Sequence, residues 1–149
     1  MNEVRIADEL RLEVPVDVVW RAIEDPEAHA RWHPFVTAIA GGHGLQEHRS
    51  CSVLVGKKTG TTRERCIERE ESTRILWAVE EDSTGFGRMV SDWRSGFSLA
   101  EHDGATIVTA ESAFRPGNAL VRAIIPIIRR RFHQTQRAIL AGLKEALEA

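Results

Sequence analysis

The sequence predicts an α+β fold: a curved seven-stranded antiparallel sheet wrapped around one long C-terminal helix, with two short helices between strands 1 and 2. Three observations predict it. The last stretch, Pro116 to Ala149, repeats apolar residues every three or four positions, at Leu120, Ile124, Ile127, Ile128, Phe132, Ile139, Leu140, Leu143 and Leu147. That is the spacing of a helix with one apolar stripe. Between residues 35 and 114, strand-like runs alternate with short turn-forming clusters, and connections that short favour an antiparallel meander. A stripe of that length needs a broad apolar partner, and a curved sheet is the simplest one.

Arg5 to Glu13 places Ile6, Leu10 and Leu12 against charged neighbours, which suits a half-buried first strand. Pro15 opens a helical pattern through Val18, Val19, Ala22 and Ile23, stopped by Asp25 and Pro26. Pro26 starts a second short helix that Pro34 ends. Strand-like runs follow at Phe35–Ala40, Ser50–Val55, Thr61–Arg69, Arg74–Glu80, Met89–Leu99 and Thr106–Phe114. The clusters between them, GGHG, KKTG, EES, DSTGFG and EHDG, are rich in the residues that turns require. Asn118 stands where its side chain caps the final helix, and Pro126 predicts a kink or a break into a short first piece.

Composition narrows the function. The net charge is -2 over 149 residues, so no overall basic field favours nucleic acid. No apolar run approaches the ~20 residues that span a bilayer, which argues against integral membrane association. The opening MNEVRIADEL lacks the basic and apolar regions of an export signal, so a cytoplasmic location is expected. Cys51 and Cys66 are too few for a disulfide framework and read as reduced packing thiols, roughly opposite each other across the KKTG turn. No repeat or linker divides residues 1–149, which therefore read as a single domain. An exposed edge strand or the outer helix face would serve a homodimer.

Sheet curvature against a helix leaves a tapered space, and side chains that do not fill it make a ligand cavity. Trp77 shares a face with Ile75 and Val79. Trp93 shares one with Met89, Ser91, Ser95, Phe97 and Leu99 if alternation holds. Aromatic walls with a few hydroxyls suit a flat, mostly apolar ligand. Ile128 and Phe132, from the middle of the helix stripe, supply the facing wall. Strand Thr61–Arg69 carries charge on both faces, so a one-residue change of register swaps Arg63 and Arg65 with Glu64 and Cys66. Arg65 inward would suit a carboxylate or phenolate; Glu64 inward would suit a general base. His29 and His33 have the spacing of a two-histidine metal edge, yet no third ligand accompanies them, so neither metal nor other cofactor is expected. His43 and His102 read as exposed turn residues. Arg129 and Arg130 read as a solvated helix face.

The run VPVDVVWRAIEDPEAHARWHP resembles the opening of the START-like, helix-grip (SRPBCC) superfamily, nearest to its polyketide cyclase/dehydrase and lipid-transport branch. Pro15, Trp20, Ile23, Trp32 and Pro34 carry that likeness. DGATIVTAESAFRPGN is similar to the family's last strand, with Ala105 before Thr106 where glycine is usual, and the long C-terminal helix with an early proline is a third match. The resemblance implies a helix-grip fold with Trp32 and His33 at the cavity entrance. It also implies a small hydrophobic ligand, such as a lipid or polyketide. The expected function is binding or transport of that ligand, by Trp32, His33, Arg65, Trp77, Trp93, Phe97, Ile128 and Phe132, with no residue assigned to catalysis. A polyketide cyclase/dehydrase is the alternative; it would need an acid/base pair, for which His33, Arg65 and Glu64 are candidates. A partner-modulating accessory module is the second alternative.

Overall fold

In the strands, alternate side chains turn to one side, and the apolar ones find the long helix. In the computed structural model, residues 2–148 are described, so the expected helix end at Ala149 lies outside the described residues. The elements run β1 (Val4–Leu12), α1 (Val16–Glu24), α2 (Pro26–Trp32), β2 (Val36–Gly41), β3 (His48–Val55), β4 (Lys58–Glu70), β5 (Arg74–Asp82), β6 (Val90–His102), β7 (Ala105–Pro116), α3 (Ala119–Ala123) and α4 (Ile125–Glu148). The seven strands form one antiparallel sheet in the order β1-β7-β6-β5-β4-β3-β2. This is the helix-grip architecture, with α4 laid against β1 and β7.

Asn118 caps α3 by accepting from the Val121 N–H at 2.9 Å. The helix then breaks at Ile124, and Pro126 sits in the first turn of α4, where its missing N–H is not needed. One end of the sheet gathers the β3–β4 turn, the β5–β6 loop and the start of α3; the opposite end gathers the β1–α1, β4–β5 and β6–β7 connections.

Two apolar clusters fill the interior. The larger joins Leu12, Val19, Trp20, Ile23, Ile75, Val108, Leu140 and Leu143, all nearly or fully buried. The smaller joins Val4, Ile6, Phe114 and Ile128 with the half-buried Phe86, Trp93 and Phe132. Burying a large apolar side chain stabilises by about 1.5–3 kcal/mol, and two clusters at different heights grip the helix along its length. At Gly142 the helix comes so close to the α2–β2 link that a Cβ would lie 3.2 Å from both Trp32 O and Pro34 Cδ.

The ladders correct three expectations. Cys51 pairs with Thr62, and Cys66 lies beyond the end of β3, so the two thiols are not opposite each other. The cause is the turn: its glycine is Gly56, with φ +63, while Gly60 is inside β4. On β4, Thr62, Glu64 and Cys66 face inward and Arg63 faces out. A bulge at Ile67 then reverses the alternation, so that Arg69 pairs with the inward Ile75. On β6 a register shift between Ser91 and Arg94, with Asp92 at φ 53, leaves Ser91 exposed rather than beside Trp93.

Candidate functional site

A cavity of about 120 Å³ lies between the sheet and α4. Its wall includes His29 and His33 from α2 and its C-cap, Arg49 from β3, Glu64 from β4 and Trp77 from β5. β6 adds Ser95 and Phe97, β7 adds Ser112, and α4 adds Gln136 and Ile139. The volume is well under the ~300–1,000 Å³ of drug-sized ligand pockets. More than half of the wall residues are polar; His29, Arg49, Glu64, Ser112 and Gln136 are buried, and His33, Ser95 and Glu111 half-buried.

The floor is a cross-strand ion pair. Arg49 and Glu64 stand directly opposite on β3 and β4, and both side chains point inward. Arg49 Nε and Nη2 donate to Glu64 Oε1 at 3.0 and 2.7 Å, and Thr62 Oγ1 donates to Oε2 at 2.8 Å. The guanidinium carbon also sits 3.7 Å from the centre of the Trp77 ring, a cation–π contact in a desolvated place. Two charges removed from water need this many partners, because an unpaired one would cost several kcal/mol.

Three histidines surround that pair, and their hydrogen bonds fix their tautomers. His29 Nδ1 and His43 Nδ1 both face the Ile23 carbonyl, at 3.2 and 3.3 Å, and a carbonyl only accepts, so both nitrogens carry the proton. His43 Nε2 is then an acceptor, matched by Arg49 Nη1 at 2.8 Å. His33 is the reverse: its Nδ1 accepts from the Phe35 and Val36 N–H groups, both at 3.1 Å, which leaves the proton on Nε2. Burial, with the Arg49 charge adding, brings both His33 and His43 down to about 3. Burial holds His29 well below the ordinary imidazole value. At neutral pH all three rings are uncharged.

The helix side carries a second network. Ser112 Oγ donates to Gln136 Oε1 at 2.8 Å, and Gln136 Nε2 donates to Asp8 Oδ2 at 2.8 Å. His133 and Arg137 meet the same carboxylate at 2.8 and 3.2 Å. Burial raises the Asp8 pKa, but bonds from Gln136, His133 and Arg137 outweigh it and hold the group below its ordinary value.

Of the residues expected to bind ligand, His33, Trp77 and Phe97 line this cavity together. Trp32 sits just outside it, its Nε1 donating to Ala22 O at 2.8 Å and its ring stacked on His29 at 5.0 Å. Trp93, Ile128 and Phe132 lie elsewhere, in the smaller apolar cluster. There Phe86 stands edge-on to Trp93 at 4.9 Å and to Phe114 at 5.3 Å, and Phe132 closes the box at 5.2 Å from Phe86. Arg65 is on the outer face, tied to Glu80 at 3.0 Å and to Gln46 at 2.6 Å. The register that turns Glu64 inward necessarily turns Arg65 outward. His43 is 3 % exposed instead of standing on a solvated turn. Arg49 was not anticipated at all, although two signals pointed to it: it alternates with Cys51, and it sits across the hairpin from an opposite charge.

Trp77 Nε1, like Trp93 Nε1 in the smaller apolar cluster, is buried and has no acceptor among the described residues. The cavity wall thus includes the ring that carries one of these unpartnered N–H groups and a neutral His33 protonated on Nε2, while the Arg49 cation is already neutralised by Glu64.

No curated protein matches the sequence. Among solved structures the chain is similar to ginseng major latex-like protein 151 from Panax ginseng, at 9% identity over 97% of each chain with a TM-score of 0.80. It is similar to the Zhui aromatase/cyclase from Streptomyces sp. R1128, at 14% identity over 99% of this chain and 94% of that one, TM-score 0.77. A START superfamily protein from Mycobacterium smegmatis matches at 10% identity over 97% of each chain, TM-score 0.77. At such identities these likenesses speak for the fold. The family model for polyketide cyclase/dehydrase and lipid transport matches residues 3–148. Family and fold together indicate a START-like domain of the hydrophobic ligand-binding or polyketide-cyclase type. The chain belongs to the polyketide cyclase/dehydrase and lipid transport family.

Proposed function

We propose that the chain binds a small, uncharged, largely aromatic molecule bearing an oxygen acceptor, such as a phenol or an aryl ketone, in the cavity between sheet and α4. The orphan Trp77 N–H carries this reading. An unsatisfied buried donor costs about 1–3 kcal/mol, which a ligand oxygen would recover. Ring surface from Trp77 and Phe97 in the wall suits an aromatic body. Neutral histidines and a self-compensated Arg49–Glu64 pair leave no charge for a carboxylate to neutralise, so an uncharged ligand is favoured over an anionic one.

Binding is favoured over catalysis by the same facts. A cyclase/dehydrase needs a group that exchanges a proton near neutral pH. The half-buried His33 and buried His43 are brought down to about 3, and Glu64 is held by three donors.

Native mass spectrometry of the purified protein, with denaturing extraction, tests the ligand class directly. Thermal shift against a phenol, an aryl ketone and benzoate follows, on wild type and on Trp77→Phe. The expected result is stabilisation by the two neutral probes and not by benzoate, with the gain reduced at least several-fold in Trp77→Phe. Saturation at one hundred times Kd should add about 2.7 kcal/mol. Extraction of a fatty acid, or stabilisation by benzoate alone, would overturn the assignment.

A further inference from the structure

Charge is distributed very unevenly along this chain. From Ser112 to Lys144 the sequence carries seven Lys/Arg and no Asp or Glu, in a protein whose net charge is -2. The start of that stretch is also where the largest apolar exposure lies. Leu120 is 75% exposed on α3 and Ile127 is 60% exposed on the first turn of α4. Between them the chain breaks at the half-buried Ile124. Arg122, Arg130 and Arg131 are exposed in the same stretch.

A second patch of the same chemistry lies at the same end of the sheet. The β3–β4 hairpin pairs Val55 with Lys58, while β4 first meets β5 at Thr62, so the tip projects past β5. Leu54 and Val55 are exposed there, next to the exposed Lys57 and Lys58. The strand order separates the patches by roughly 15–20 Å along the sheet, at ~4.8 Å per strand. Among the described residues, four of the five exposed large hydrophobics are thus at one end, and each has a cation within four residues in sequence. Acids at that end are largely engaged: Asp82 holds Thr84 and Gly87, Asp92 faces Arg94 and Arg115, and Glu3 pairs with Arg5 and Arg94. Glu81 is exposed opposite Arg63 across the ladder.

We propose that this end of the molecule docks on an anionic lipid surface, with Leu120, Ile127, Leu54 and Val55 entering the interface and the flanking cations meeting the headgroups. Apolar tips ringed by Lys and Arg are what an interfacial site needs, since burial and headgroup attraction add. The overall charge of -2 does not oppose it, because at physiological salt charges beyond about 8 Å are screened and the local patch decides. No helix among the described residues is long and apolar enough to cross a membrane, so the contact is peripheral. The inference is independent of what the cavity holds.

The test is flotation of the whole protein with vesicles of phosphatidylcholine alone and of phosphatidylcholine with ~30% phosphatidylglycerol, at low and at physiological salt. Binding is expected only with the anionic vesicles, weakening as salt rises. Arg122→Gln/Arg130→Gln/Arg131→Gln should lower the partition coefficient about fivefold per charge, roughly a hundredfold in all. Leu120→Ser/Ile127→Ser, at exposed positions where folding is unaffected, should lower it about tenfold. Equal recovery with both vesicle types, or unchanged binding in both variants, overturns the proposal. So does a dimer in sedimentation that those variants dissociate, or retention on duplex DNA in place of vesicles.

Discussion

The cavity floor and the aromatic box occupy different heights of the same grip between sheet and helix, and they are built on opposite principles. The box of Phe86, Trp93, Phe114 and Phe132 holds itself together by ring-on-ring contact. The floor buries a guanidinium, a carboxylate and two imidazoles, with the half-buried His33 beside them, around one tryptophan. Replacing such a buried pair with well-packed apolar residues is often neutral or stabilising. The difference teaches that the two regions answer to different tests: ring packing in the box is read by stability alone, whereas the buried charges of the floor are also read by pH and by paired substitutions.

Acidity separates the two regions most strongly. The three floor histidines have folded pKa values below the ordinary 6.5, so the unfolded chain binds their protons first. Stability is then full above pH ~6.5 and falls as pH drops toward the folded values, by about 1.4 kcal/mol per pH unit for each ring. Urea midpoints measured at pH 7, 6 and 5 should fall steeply, and His43→Gln should remove about a third of the slope. A flat profile would mean that the rings are not buried neutral, and the contrast would collapse.

Next in size is the ion pair. Glu64→Leu strands the Arg49 charge and should cost about 3–5 kcal/mol, most of it recovered in Arg49→Met/Glu64→Leu. Failure of the double variant to recover would show that the floor is needed structurally. In the box, Phe132→Ala should cost about 2–3 kcal/mol, less than a fully buried phenylalanine because the ring is half-buried. It should leave ligand affinity in the cavity unchanged; a tenfold loss would merge the two regions into one site. Smallest is Arg65→Gln, which removes an outer-face pair and should shift stability by no more than about 0.5 kcal/mol, with no change in binding.

The sequence made the helices legible because their signals are local. The stripe of α4, the Asn118 cap and the Pro126 break each depend on residues a few positions apart. Strand faces were legible only between bulges. On β6, Ser95, Phe97 and Leu99 alternate as expected, while the shift before Arg94 turns Ser91 out. On β4 the extra residue at Ile67 is invisible in a pattern that carries charge on both faces. His43 shows a different limit. The composition GGHG marks the end of β2 and the start of the β2–β3 connection, whose turn falls at Leu45–Gln46, but a connection's residue types do not say where its side chains go. The Ile23 carbonyl and Arg49, distant in sequence, draw that ring inside. Arg49 itself was hidden because the expected strand starts at Ser50, two residues after β3 begins at His48.

Gly142 gives the molecule a mechanical asymmetry. Near it Leu140 and Leu143 are buried, and the α2–β2 link sits against the helix where any side chain would push it away. Seventeen residues earlier, at Ile125, the same helix begins beside a break and carries exposed apolar side chains. The rod is thus fixed at one end by close backbone approach, which leaves no slack, and at the other by the side chains of Ile128 and Phe132, which can repack. A side chain added at Gly142 must therefore move the α2–β2 link, whereas a change in the smaller cluster need only rearrange its neighbours.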